Sequence, residues 1–238
     1  MQSVAVAIIC KTPAPGKSKT RLSPPLRPEE CAAISACFIA DLGRTIAGLE
    51  HPAARPSVVY TPAGSEAALL GLLPGFALTL QGEGDLGARI TQGIDDLLAA
   101  GHDGAIVINS DSPTLPPAIL EAAVAAVLAG DRMVIAPAFD GGYTLIGLSR
   151  QHARLFQEIP WSTERVFELT MQRAREIDLP TTVLDMWYDI DDRRSYAMLE
   201  AELAGQAPPF ARPGLPLVNA PATRRFVAHR STYAMAAQ

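Results

Sequence analysis

Short apolar runs rich in β-branched residues recur along the chain at positions 4–9, 57–60, 77–80, 105–108 and 133–136. Between them the apolar period changes. Leu86, Ile90, Ile94, Leu97 and Leu98 fall three to four apart, as do Ile119, Ala123, Ala126 and Val127 behind Pro116-Pro117. That spacing makes one face of a helix, and proline suits a first helical turn. Strands that are apolar along their length and alternate with helices predict a parallel sheet covered on both faces.

The pattern then shifts. Asp140-Gly141-Gly142 is a turn signal, so residues 143–148 are expected to run back antiparallel. A helix near 163–177, a strand near 181–186 and a helix over 193–203 follow. The expectation is therefore a mostly parallel mixed sheet, and no G-x-G-x-x-G dinucleotide fingerprint is present. Ligands of such sheets bind beyond the carboxyl ends of the strands. The segments that follow the runs are KTPAPGKSKTRL, QGEGDLGAR, NSDSPTLP and AFDGGYTLIGL, all polar or glycine-bearing, and all expected at one sheet edge.

Residues 1–204 are expected to form one domain, and 205–238 a proline- and arginine-rich tail without acidic residues, extended or partly disordered. The alternative for the tail is an arm that packs on a second subunit or carries Arg224 and Arg225 to substrate phosphates. A net charge of −5 over 238 residues gives no reason to expect nucleic acid as a partner. The apolar runs are too short for a membrane span, and a cytoplasmic protein is expected. Three cysteines (Cys10, Cys31, Cys37) and four scattered histidines lack zinc-site spacing. Any metal must then be held by carboxylates, which favours magnesium or manganese.

Gly16-Lys17-Ser18 imitates the end of a phosphate-binding P-loop. Lys11 stands where that motif needs glycine, and Pro24-Pro25 stops a helix within two turns of Lys17. What remains is a turn-prone loop after the first strand, in which Pro13, Pro15 and Gly16 bend the chain. Lys11, Lys17, Lys19 and Arg21 can then converge on phosphate.

Two acidic groups complete the candidate chemistry. Asp111 follows the fourth strand and lies too far before Pro116 to cap the next helix, so a metal-ligand role fits it. In WYDIDDRRSYAMLE, Asp192 is placed to cap the helix, leaving Asp189 or Asp191 to face the cleft. An EF-hand reading fails because Arg194 stands where glycine is required.

KTPxPGxxKTRL, GDLGxR, NSDSPTLP, DGGYxLIGL, WST and WYDIDD, in this order over about residues 3–203, resemble one family. It is the bacterial GT-A-like transferases of formerly unknown function, often labelled arsenosugar-biosynthesis or TIGR-type glycosyltransferases. They are related to phospholactate and molybdenum-cofactor guanylyltransferases. The resemblance implies a GT-A-like, Rossmann-like α/β three-layer sandwich, a nucleotide or nucleotide-sugar donor, a small-molecule acceptor, a possible homodimer and Mg2+ or Mn2+. It implies that Lys17, Lys19 and Arg21 hold the donor's phosphates, with Lys11 and Gly16 of the same loop in the binding set, and that Glu83, Asp85, Gly87 and Arg89 line the nucleotide pocket, Gly84 and Gly87 letting backbone approach the ligand. Asp140, Gly141, Gly142 and Tyr143 would bound the acceptor site beside Trp161 and Ser162. Asp111 and Asp191 would hold the metal, and Asp111, Lys19, Arg21 and Asp140 would be the catalytic set.

Three activities share these parts. Glycosyl transfer from a nucleotide sugar is the expected one, on the strength of the family label; nucleotidyl transfer from a nucleoside triphosphate, which the basic loop favours, is the close alternative; nucleotide binding without catalysis, which the absence of D-x-D keeps open, stands third.

Overall fold

The structure is a computed structural model that describes residues 2–236, with side chains through Arg230. Seven strands form one sheet: β1 (Val4–Lys11), β2 (Ala54–Thr61), β3 (Ala77–Leu80), β4 (Gly104–Asn109), β5 (Met133–Pro137), β6 (Tyr143–Leu148) and β7 (Thr181–Val183), in the order β3-β2-β1-β4-β6-β5-β7. β6 runs antiparallel to β4 and β5, and the other pairs are parallel. Each apolar run became a strand, and the return after Asp140-Gly141-Gly142 occurs as expected.

Alternation along β1 divides the core in two. Val4, Val6 and Ile8 face one layer, with α1 (Pro28–Ala47), α2 (Glu66–Leu72), α4 (Pro117–Leu128) and α6 (Arg193–Leu203). Ala5 and Ala7 face the other, with α3 (Leu86–Ala99) and α5 (Val166–Glu176). Successive strand residues point to opposite faces, so a buried strand needs apolar residues on both. The molecule is a three-layer α/β sandwich with a mostly parallel mixed sheet. No helix among the described residues is long and apolar enough to cross a membrane.

The chain beyond Gly205 differs from the extended stretch expected of it. After an irregular run, α7 (Pro221–Ala236) lies against α1. Its first turn is held by Asp41, a buried carboxylate of α1 that accepts hydrogen bonds from the backbone nitrogens of Ala222 (3.0 Å) and Thr223 (2.7 Å). A carboxylate there satisfies free amide groups and favours the positive end of the helix dipole. Arg224 donates to the carbonyls of Leu203 and Asn219 in the same chain, not to a phosphate site.

Candidate active site

Because β1 and β4 are neighbours whose chains leave in opposite directions along the sheet, toward β2 and β5 respectively, the crevice beyond their carboxyl ends lies at the point where strand order reverses. The β1 loop enters it as follows. Lys17 N donates to Ala14 O and Ala14 N to Ser18 Oγ, closing a compact turn. Buried Leu22 and Leu26 anchor its far end. Lys19 adopts a left-handed backbone (φ 49, ψ 38), rare for a residue with a side chain, and turns its own chain inward.

Inside, the Lys19 ammonium lies 2.7 Å from Asp111 Oδ2 and 2.8 Å from Asp191 Oδ1, and its side chain is 6% exposed. Burial alone would lower its pKa; the Asp111 and Asp191 carboxylates outweigh burial and hold it above the ordinary lysine range. Arg21 stands outside this pair at 3.6 Å from Asp191 Oδ2, with 69% of its side chain exposed.

The two acidic segments are tied backbone to backbone. Ile190 N donates to Asp111 O (2.9 Å) and Ser112 Oγ to Tyr188 O (2.8 Å). Trp187 Nε1 donates to Thr114 Oγ1 beneath them. The register of residues 109–114 against 187–191 thus fixes where the carboxylates meet. Asp192 caps α6 as expected, accepting from Ser195 N, which leaves both Asp189 and Asp191 on the cleft. Burial first, then the negative charges of Asp140, Asp191 and Asp111, raise Asp189 to about 7, with Lys19 pulling the other way.

Three cavities meet at this cluster. The largest, about 560 Å³, extends from Gln81, Gly84, Leu86 and Arg89 to Tyr143 and Trp161. A second, about 240 Å³, is walled by Lys11, Lys17, Ser18, Lys19, Thr20 and Arg21, with Asp111 and Asp191 on its inner side. The third, about 190 Å³, opens past Asp140, Asp189 and Asp191 toward Phe139 and Arg194.

Several expected residues stand elsewhere. Asp85 caps α3, accepting from Ala88 N, and neither it nor Glu83 lines any of these three cavities. Gly16 forms the loop's turn with φ 69 and also lies outside the walls. Gly87 is buried behind Trp161, and a Cβ there would come within 2.5 Å of the indole; it seats the ring and does not itself face the cavity. Gly141, with φ 93, packs so tightly that a Cβ would fall 2.1 Å from Glu164 O. It joins the β5–β6 turn to the segment before α5, while Asp140 accepts from Gly142 N within that turn.

Gln81, Asn109, Ser110 and Ser35 also line the cavities and were not singled out from the sequence. Gln81 is the first residue past β3 and Asn109 ends β4, so the rule of looking just beyond each strand contained the signal. The Gln81 amide nitrogen donates to Cys10 O and Val59 O, leaving its oxygen as the group a ligand could meet.

Among the described residues no three histidine, cysteine or acidic side chains form a ready-made metal cage. Asp111 and Asp191 nevertheless aim oxygens at one point, and two carboxylates completed by substrate phosphates and water suit Mg2+ or Mn2+. These residues fit such an ion by donor chemistry; the point itself is held by the Lys19 ammonium.

A family model described as an uncharacterized protein conserved in bacteria, DUF2064, matches residues 45–163, half of the chain. The chain belongs to the DUF2064 family. The match spans β2 through Trp161, so it contains Asp111 and the β5–β6 turn but neither the basic loop nor Asp191. No protein of curated function matches this DUF2064 chain in sequence. Among solved structures, a protein from Desulfovibrio desulfuricans G20, provisionally named a nucleotide-diphospho-sugar transferase, is 25% identical with a TM-score of 0.81. The alignment covers 98% of this chain and 96% of that one. A cytidylyltransferase from Leptospira borgpetersenii serovar Hardjo-bovis is 11% identical with a TM-score of 0.57, over 99% and 96% of the two chains. A CMP:2-keto-3-deoxy-manno-octonic acid synthetase solved with CTP is 10% identical with a TM-score of 0.56, over 87% and 100%. The last two likenesses are of fold.

Proposed function

We propose that this protein is a divalent-cation-dependent nucleotidyltransferase: it binds a nucleoside triphosphate and passes the nucleotidyl group to a small anionic acceptor. The observation that carries this reading is the separate basic cavity beside the carboxylate pair. A nucleoside triphosphate with its base and sugar in the large cavity has two more phosphates to place beyond the reacting one. The lysine-lined cavity offers room and charge for both. A nucleotide sugar carries only two phosphates, both bridging, and leaves that cavity without a matching group.

A cation held by Asp111 and Asp191 would neutralise charge on the phosphates. Lys17 and Arg21 bind the leaving pyrophosphate. Trp161, seated over Gly87 and edge-on to Tyr143 with centroids 6.5 Å apart, gives the large cavity an aromatic wall. The third cavity is the room left for the acceptor: Arg21 and Arg194 border it among Asp140, Asp189, Asp191 and Asp192, so an acceptor phosphate or carboxylate would be met by these two guanidinium groups together with the bound cation. An anionic oxygen of that acceptor forms a bond to the α-phosphorus as the bond to the pyrophosphate oxygen breaks. Because the attacking oxygen is already ionised, no proton needs to be removed. No histidine lines any of the three cavities among the described residues, which accords with an acceptor of that kind.

Glycosyl transfer is the second reading, favoured by the provisional name of the Desulfovibrio desulfuricans G20 protein. Incubation with panels of nucleoside triphosphates and nucleotide sugars, with Mg2+ and phosphorylated acceptors, separates the two. Pyrophosphate release supports nucleotidyl transfer; release of a nucleoside diphosphate from a sugar donor overturns it. Binding of nucleotide with turnover of neither panel points to a non-catalytic binding protein.

A further inference from the structure

We propose that Lys19 is a resident counter-cation: it occupies the position between Asp111 and Asp191 in the free protein and gives it up to a divalent ion only when a ligand's phosphates draw the ammonium away. The inference rests on the reading that phosphates bind in the basic cavity.

The contacts come first. One ammonium nitrogen lies within 2.8 Å of an oxygen from each carboxylate, where an ion bridging both would have to sit. Magnesium–oxygen bonds of about 2.0–2.1 Å need those same oxygens, and two cations cannot share them at such spacing. The free protein is therefore closed to the ion while Lys19 stays.

The backbone makes the pairing more than an accident of a long flexible side chain. Lys11, Lys17 and Arg21 from the same loop are exposed, whereas Lys19 alone of the four is turned inward, by a left-handed conformation that costs energy for any residue with a Cβ. Such strain is retained where surrounding contacts over-determine it, and the two ion pairs supply them.

The same side chain also lines the basic cavity. Phosphate oxygens placed there are an alternative negatively charged partner for the ammonium. Four carboxylates (Asp111, Asp140, Asp189 and Asp191) crowd the junction of the cavities, so Lys19 can leave them only if another positive charge replaces it. Phosphate arrival and metal entry thus become one exchange: Lys19 moves to the anion as the ion takes the carboxylates. The consequence is mutual coupling, in which nucleotide raises metal affinity and metal raises nucleotide affinity by the same factor.

The test is a Mn2+ titration, read from the resonance of free Mn2+, on wild type, Lys19→Met and Lys19→Gln, with and without a nucleoside triphosphate. Without nucleotide, wild type should bind Mn2+ weakly and the variants about tenfold more tightly or better, a gain lost when Asp111→Asn is added. With nucleotide the gap between wild type and variants should shrink; chelation of Mn2+ by the nucleotide is common to both and cancels. Circular dichroism checks each variant's fold, and the glutamine variant keeps a hydrogen-bond donor between the carboxylates should methionine prove too disruptive. Tight, Asp111-dependent Mn2+ binding by free wild type overturns the proposal. So do folded variants that bind no better, or a gap that nucleotide leaves unchanged. Failure to release pyrophosphate would refute the nucleotidyl-transfer reading and leave the nucleotide-free titration as decisive as before.

Discussion

Arg21 separates electrostatic capture from structure, because its guanidinium is largely exposed and only brushes Asp191 at 3.6 Å. Arg21→Ala should therefore leave stability nearly unchanged. It should weaken nucleotide binding by a charge-assisted contact, about 1.5–3 kcal/mol, measured by calorimetric titration. An unaltered affinity removes the loop from the binding site. Glu202 shows the opposite case, a carboxylate whose cost is paid in the core. It accepts from Thr114 Oγ1 (2.8 Å) and from the Tyr188 hydroxyl, while its other oxygen, Oε1, is buried without a hydrogen-bond partner. Burial first raises it from 4.5 to about 7, although both hydroxyl donors act to lower it. A folded-state pKa above the unfolded value means that the native state holds the proton more tightly. The stability this contributes is complete below about pH 4.3 and is lost as pH climbs through about 7. Glu202→Gln removes that loss, so it should match wild type at pH 4 and exceed it at pH 8 by about 3–4 kcal/mol in urea unfolding. An equal difference at both pH values would show that Glu202 does not titrate in this window.

Helices and strands differ in how far local sequence determined them. Tyr143–Leu148 and Arg193–Leu203 occur with the expected bounds because each carries its own start signal, a two-glycine turn for the strand and the Asp192 cap for the helix. α7 was missed for a physical reason: its proline-, alanine- and arginine-rich sequence has no acidic residue in its first turn. The carboxylate that performs that office is Asp41, 181 positions away from Ala222. Its stability is tertiary, and no window of local sequence contains it. Asp41→Ala should accordingly lower stability by about 1–2 kcal/mol, the usual worth of a helix cap, and speed amide exchange in α7 before the sheet is affected. Uniform acceleration across the sheet would show that Asp41 supports the core in general and not this one docking. Ending the chain at Gly205 tests the same contact from the other side. Phe226 and Val227 pack on the core, so their removal should lower Tm and increase binding of an apolar dye; an unchanged Tm would reinstate the disordered tail.

The assembled site joins chain segments whose meeting the sequence could not display. Asp111 and Lys19 were legible as chemistry, because charged residues in the segments that follow strands of a parallel sheet face a common crevice; the Asp192 cap left Asp189 or Asp191 for the cleft, and the resemblance alone singled out Asp191. That they form one ion triad depends on a lysine pairing with an aspartate 172 positions later, and on the register of two segments tied through Ser112 and Ile190. Asp85 illustrates a related ambiguity: a carboxylate ahead of a helix can cap it or face a ligand, and Asp85 caps α3 by accepting from Ala88 N. Since the first loop, the fourth strand and the segment before α6 all converge on the site, a ligand that bridges them ties together both ends of the domain. Mg2+ and nucleotide together should raise Tm, with stabilisation approaching about 2.7 kcal/mol at a hundred times the dissociation constant. Asp111→Asn removes a negative charge from the pair while keeping its size. It should leave the gain from nucleotide alone, carried by the loop cations, and abolish the further gain from Mg2+. Scanning calorimetry with four combinations of ligand and variant resolves these contributions. A magnesium increment that survives in Asp111→Asn would place the ion elsewhere, and with it the chemistry assigned to the junction of the three cavities.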